Sequence, residues 1–170
     1  MSDRCCLYTK VRSMIIKQAD VEDAGEILEL QKLAYLSEAR IYNDYAIPPL
    51  LQTLEQIESD FESHIFLKAL TDSRVVGSVR ARMDQDTCLI GRLVVHPDHQ
   101  NRGIGTGLMN EIERCFDEAR RFELFTGHKS ERNIALYRKL GYRVVRSEKI
   151  SENLSLVYMQ KVQQLRDDRT

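Results

Sequence analysis

The sequence predicts an α/β fold (α+β in some schemes): a mixed, mostly antiparallel central sheet of about six to seven strands with helices on both faces. Three observations carry this. Short β-branched runs alternate with amphipathic stretches along the whole chain. Two tight turns, "TDS" and "MDQDT", join three successive strand-like runs as hairpins. One apolar run, "CLIGRLVV", passes through a glycine-bearing loop into a helical pattern and then into another strand, a β-α-β arrangement that demands a parallel crossover.

Element by element, "MIIKQA" (14–19) reads as the first strand. Asp20 follows as a helix cap, with Asp23 three residues on completing a capping box. Ala24, Ile27, Leu28, Gln31 and Tyr35 fall at helical spacing, widened by Leu30, Leu33 and Ala34. Pro48 and Pro49 interrupt this helix, and Leu50, Leu54, Ile57 and Phe61 resume the pattern. Strands are expected at 64–70, 74–83 and 88–95. After the glycines, Ile104, Leu108, Ile112, Cys115, Phe116 and Ala119 share one side of a helix, opposite Glu111, Glu113, Arg114, Asp117 and Glu118. "FELFTG" (122–127) reads as a buried strand. Ser130 then caps a short helix that stops at Gly141. "YRVVRSEK" and "NLSLVYMQKV" close the fold as a strand pair.

The 170 residues suit one domain, expected over 14–163, after a flexible extension at 1–13 and before a polar tail at 164–170. Hydrophobic content of 42% and charged content of 30% belong to an ordinary globular chain. A net charge of −1 gives no footprint for nucleic acid. No apolar run is long enough for a membrane span, and the first residues lack the apolar core of a signal peptide, so a cytoplasmic protein is expected. Cys5, Cys6, Cys88 and Cys115 show no paired zinc spacing, and free thiols are expected, with no metal.

The chemistry gathers in "LVVHPDHQNRGIGTGLMNEIE" (93–113), where three of the eight glycines stand at alternate positions. A strand, a loop and a helix in that order put unpaired N–H groups and the positive end of a helix dipole at the mouth of a sheet. Glycines allow close backbone approach, and Gln100, Asn101 and Arg102 add donors, a combination suited to phosphate or pyrophosphate. A Walker loop is excluded because no G-K-[ST] closes the segment. A Rossmann loop fits poorly: the third glycine comes one residue early, and "HPDHQNR" intervenes before Gly103. Glycines that merely let helix pack on sheet remain a reading of the loop taken alone.

Val95, Pro97, Gln100, Gly103 and Gly105 match V-x-P-x-x-[QR]-x-x-G-x-[GA], and "NIALYRKLGYRVV" (133–145) matches L-Y-x-K-x-G-[FY]. With these two motifs in order, the chain resembles the GCN5-related N-acetyltransferase (GNAT) superfamily from Met14 to Val162. The resemblance implies a splay between the fourth and fifth strands (88–95 and 122–127) and an acyl-coenzyme A ligand, usually acetyl-CoA. It implies that N–H groups of Gln100, Asn101, Arg102, Gly103, Ile104, Gly105 and Thr106 cradle the pyrophosphate, and that Leu93, Val94 and Val95 pair with the pantetheine arm. An N–H of Val94 or Val95 would polarise the thioester carbonyl. Tyr137 would protonate the departing thiolate. Asn133, one helical turn before Tyr137, is a coenzyme contact; the commoner family form places that asparagine at the position of Ser130. Where many members carry a glutamate general base, this chain has Leu89, so the base is unassigned, with His128 as one candidate. His96 and His99 in the loop are expected to face solvent.

The acceptor implied is a small-molecule or peptide amine met by the segment "AYLSEARIYNDYAIPPL", which offers Tyr35, Glu38, Tyr42, Asp44 and Tyr45; a homodimer is compatible with the family. Two other functions fit parts of the same pattern: a non-catalytic acyl-CoA-binding regulatory module, and a dinucleotide-binding protein.

Overall fold

A computed structural model describes residues 9–11 and 14–164. One sheet of eight strands runs through it: β1 (Thr9–Val11), β2 (Met14–Gln18), β3 (Ile65–Thr71), β4 (Arg74–Asp84), β5 (Thr87–Val95), β6 (Arg121–Gly127), β7 (Arg143–Lys149) and β8 (Ser155–Val162), in the order β1-β2-β3-β4-β5-β6-β8-β7. Every neighbouring pair is antiparallel except β5–β6, the crossover that the glycine segment demanded. Seven of these strands were legible in the sequence. The eighth, β1, lies within the expected extension, where Thr9 pairs with Ile16 and Val11 with Met14. Its backbone completes the sheet edge without an apolar period to announce it, so the sheet begins at Thr9 rather than Met14. The rest of the expected extension and residues 165–170 of the expected tail fall outside the described residues.

Five helices cover the two faces: α1 (Ala24–Tyr42), α2 (Pro48–Leu51), α3 (Leu54–Asp60), α4 (Ile104–Cys115) and α5 (Glu131–Lys139). A capping box at Asp20 and Asp23 starts a short 3-10 turn that leads into α1, as the sequence indicated. Pro48 and Pro49 open α2 rather than merely ending a helix, because proline at the first helical position loses no needed donor. On one face, Ala24, Ile27, Leu28, Leu30 and Ile57 pack with Phe66, Val75 and Val94. On the other, Ile104, Leu108, Met109 and Ile112 of α4 and Tyr137 of α5 pack with Val76, Val79, Ile90, Phe122 and Met159.

Two expectations about side chains are corrected here. Glu111, assigned to the polar side of α4, is buried beside the exposed Arg114, which donates to its carboxylate. Cys88 is a buried free thiol, whereas Cys115 is disulfide-bonded, a pairing that spacing along the chain does not reveal. Burial pushes the Cys88 thiol up to about 12, which keeps it protonated and inert.

Candidate active site

Strands β5 and β6 pair over only three rungs, Thr87–Arg121, Cys88–Phe122 and Leu89–Glu123, and then diverge. Six residues of β5, Ile90 to Val95, and four of β6, Leu124 to Gly127, therefore line an opening in the sheet. This is the expected splay, and Leu89 stands at its closed end.

A β-bulge shapes the open edge of β5. Ser78 pairs with Val94 and Arg80 with Gly91, so β5 carries one extra residue opposite Val79, and Arg92 takes a left-handed backbone (φ 51°). Beyond the bulge, Val94 faces the α1 core, while Leu93 and Val95 turn toward α4 and α5. The His96 N–H donates to the Val76 carbonyl at 2.8 Å. Strand alternation then directs the Val94 N–H toward β4 and the N–H groups of Leu93 and Val95 into the splay.

The glycine loop runs from the end of β5 into α4. His96 Nδ1 accepts the Asp98 N–H at 3.1 Å and starts a 3-10 turn over Pro97–His99. Gly103 is the N-cap of α4 with φ 79°. That left-handed conformation costs an L-residue about 1–2 kcal/mol. Among the described residues no side chain caps this end, which leaves the first-turn N–H groups of α4 without intrahelical partners beside the end of β5. Gly107 has a different purpose: a Cβ there would meet Ile16 Cδ1 at 2.9 Å, so the missing side chain sets the close approach of α4 to β2. The glycines of this run thus differ: Gly103 takes the left-handed backbone, and Gly107 lets helix and sheet pack closely.

Of the predicted loop donors, Gln100 and Asn101 are held through their side-chain carbonyls. Arg132 of α5 donates to Gln100 Oε1 and, at 2.7 Å, to Asn101 Oδ1. Arg132 ties loop to helix and adds positive charge at the same mouth; nothing in its sequence spacing marked it. Arg102 and Gly103 are exposed, and the Ile104 side chain belongs to the core, so only its backbone faces the mouth.

Helix α5 closes the opposite side. Asn133 Nδ2 lies 3.4 Å from Thr126 Oγ1, which places Asn133 against the β6 edge of the splay. Ser130 occupies the N-cap position of α5, yet its side chain makes no capping bond. Its hydroxyl instead donates to the Glu38 carboxylate and lies 3.1 Å from the Tyr42 hydroxyl, a correction to its expected role. Ser130 is thus engaged by α1, whereas Asn133 lies against β6. Tyr137 is buried, 6.0 Å from the Tyr142 ring centroid to centroid, and its hydroxyl has no hydrogen-bond partner among the described residues. Burial raises the Tyr137 phenol above the ordinary tyrosine range, and the charges of Tyr35 and Glu38 push the same way. His128 is exposed, with Nδ1 accepting the Ser155 N–H at 3.0 Å. It fastens the end of β6 to β8.

The face of α1 and α3 carries a polar network that the sequence did not announce. Gln31 donates to Gln52 at 2.9 Å, Gln52 donates to Asp60 at 2.6 Å, and Asp60 pairs with Arg80. Arg92 lies over the Tyr35 ring, its Cζ 5.9 Å from the centroid. A charged residue inside "CLIGRLVV" was the available signal for it, because charges are seldom placed in buried strands without a task.

A family model described as the acetyltransferase (GNAT) family matches residues 26–142, a span that contains the splay, the glycine loop and α5. The chain belongs to this family. Solved structures agree on the fold. The ribosomal-protein-S18-alanine N-acetyltransferase of Escherichia coli aligns with TM-score 0.74 at 14% identity, over 92% of this chain and 99% of its own. A GNAT-family acetyltransferase from Streptococcus pneumoniae aligns with TM-score 0.70 at 20% identity, over 88% and 99%. The PaiA N-acetyltransferase from Thermoplasma acidophilum, solved in complex with coenzyme A, aligns with TM-score 0.65 at 21% identity, over 89% and 99%. Among curated proteins, the UPF0157 protein YqkA of Bacillus subtilis is 28% identical over 133 residues. That alignment takes in 78% of this chain and 38% of YqkA, so the chain spans well under half of that relative's length. No helix among the described residues is long and apolar enough to cross a membrane.

Proposed function

We propose that the protein transfers an acetyl group from acetyl-CoA to a primary amine by direct attack. The observation that supports this reading is the splay itself, an open strand edge between β5 and β6. The N-terminus of α4 and the buried Tyr137 phenol, which has no hydrogen-bond partner among the described residues, would supply its anion-binding and acid groups. The N–H groups from Gln100 to Thr106 would hold the pyrophosphate, as helix N-termini hold anions generally. The edge of Leu93 and Val95 would pair with the pantetheine arm like an added strand, while Val94 braces that edge from the α1 core. The Val95 N–H, directed into the splay, suits the developing oxyanion. Asn133 would contact the coenzyme beside Tyr137.

The ammonium first loses one proton to solvent. The neutral amine then attacks the thioester carbonyl carbon, forming a C–N bond, and the carbonyl electrons move onto oxygen. As the intermediate collapses, the C–S bond breaks and the sulfur takes the proton of Tyr137. The second amine proton restores the phenol. The sum is amide, coenzyme A thiol and one released proton. A buried phenol is a reluctant acid in water, but the same dry surroundings raise the proton affinity of the departing thiolate, so donor and acceptor stay matched.

Leu89, where many relatives carry a proton acceptor, favours a second reading: a module that binds acyl-CoA without catalysis. Titration calorimetry with acetyl-CoA tests the coenzyme site, and absence of binding at millimolar coenzyme overturns both readings. Thiol release across an amine panel, with products weighed by mass spectrometry, separates enzyme from module.

A further inference from the structure

We propose that the acceptor amine also carries a carboxylate, and that Arg92 reads it. The inference rests on the acetyltransferase reading and names the acceptor class for that same splay. Cross-strand partners point to one face, so Phe66, Arg80 and Gly91 form a row across β3, β4 and β5 beneath α1 and α3. A Cβ built at Gly91 meets no atom within 4 Å, so the row ends in open space at the splayed edge. Arg92 borders that space.

Arg80 and Arg92 on this face differ in one respect. Arg80 is paired with Asp60. No carboxylate among the described residues pairs with Arg92, and its buried Nε has no hydrogen-bond acceptor. A buried guanidinium donor without an acceptor is costly, and it is satisfied by a planar, singly charged oxyanion that meets the fork of N–H groups. Asp60 already pairs with Arg80, and the planar fork of the Arg92 guanidinium matches the two oxygens of a carboxylate.

The amine end of such an acceptor has its own counterpart. Tyr35 and Glu38 stand three residues apart on α1, hence on one face of the helix. Tyr35 lies against Arg92, and Glu38 reaches Ser130 at the start of α5. A carboxylate can accept up to about four hydrogen bonds, so Glu38 keeps capacity for an ammonium. An amino-acid zwitterion laid along this turn sets its carboxylate on Arg92 and its nitrogen toward Glu38, Tyr137 and the thioester. Arg92 is a positioning residue here, since it touches the acceptor away from the reacting atoms.

The test compares matched acceptors on the wild-type protein: free amino acids, their carboxamides, and the corresponding amines without the carboxyl group. A charge-assisted pair predicts kcat/KM for the acid about ten- to a hundredfold above the amide, expressed mainly in KM. Arg92→Gln is expected to collapse that ratio toward one, and Arg92→Lys to restore only part of it. Calorimetry with coenzyme A alone is expected to give the same affinity for wild type and variants. Amides accepted as well as acids overturn the proposal and leave the acetyltransferase reading standing. Coenzyme A binding with no turnover of any amine overturns both. Because the wild-type ratio decides by itself, a variant that fails to fold does not rescue the idea.

Discussion

The two sides of the splay are built differently. The proposed coenzyme side is one continuous segment: the end of β5, the loop and the first turn of α4, residues 93–106, braced from α5 by Arg132. The proposed acceptor side is assembled from α1, α3, β4 and β5, through the network of Gln31, Gln52, Asp60 and Arg80 and through Arg92 over Tyr35, groups whose approach depends on the whole sheet. A site made from one segment is expected to fail by local backbone damage. A site made from four elements is expected to fail through loss of its network.

The largest effect belongs to the group shared by both sides. Tyr137→Phe is expected to lower kcat roughly 10²–10⁴-fold, the usual contribution of a positioned acid, with little change in coenzyme affinity by calorimetry. Burial holds the phenol above its ordinary range, so the wild-type rate should show no alkaline limb from this group near pH 10. An unchanged kcat in the variant would remove Tyr137 from the mechanism.

Next in size is the network. Asp60→Asn leaves Arg80 without its charge partner in a partly buried setting. The loss is expected to destabilise the fold by about 2 kcal/mol, less than a fully buried pair would cost. Denaturant melts would show it, while coenzyme affinity of the folded protein should hold. Gly103→Val reverses the pattern. The position holds φ at 79°, where a β-branched side chain is strained. Coenzyme A binding is expected to weaken roughly tenfold, with a smaller effect on the melt. If both variants moved affinity and stability together, the two sides would not be separable.

The smallest effect is a pH dependence on the acceptor side. Burial, and then the charge of Arg80, hold His64 below the ordinary histidine value of 6.5; Arg82 adds to this and Asp60 opposes it. The folded protein therefore takes up this proton less readily than the unfolded chain. Stability should fall as pH drops below about 6.5 and level off once pH lies beneath the folded value. His64→Gln should flatten that slope in thermal melts, modestly because the ring is half exposed.

The geometry of the proposed coenzyme side was legible because its signals are local. Gly103 is needed for a left-handed N-cap, Pro97 opens the turn, and the period of Ile104, Leu108 and Ile112 marks the helix, all within a short stretch. The acceptor side was not. Tyr35 and Glu38 could be read only as candidates, and Ser130 looked like a helix cap because cap and cross-helix hydrogen bond use the same hydroxyl. Arg132 and Arg92 had no periodicity to betray them. Strand β1 escaped for a related reason: an edge strand held by backbone pairing needs no apolar alternation.

By itself the sequence determined the order of elements, the parallel crossover and the glycine-built mouth, since hydrophobic period, capping and turn chemistry act over a few residues. Tertiary structure alone decided where the strands part, which arginine is paired with a carboxylate, and which helix the Ser130 hydroxyl serves. Those outcomes depend on groups distant in the chain meeting at a few ångströms, where charge pairing and burial choose among partners that local spacing leaves equivalent.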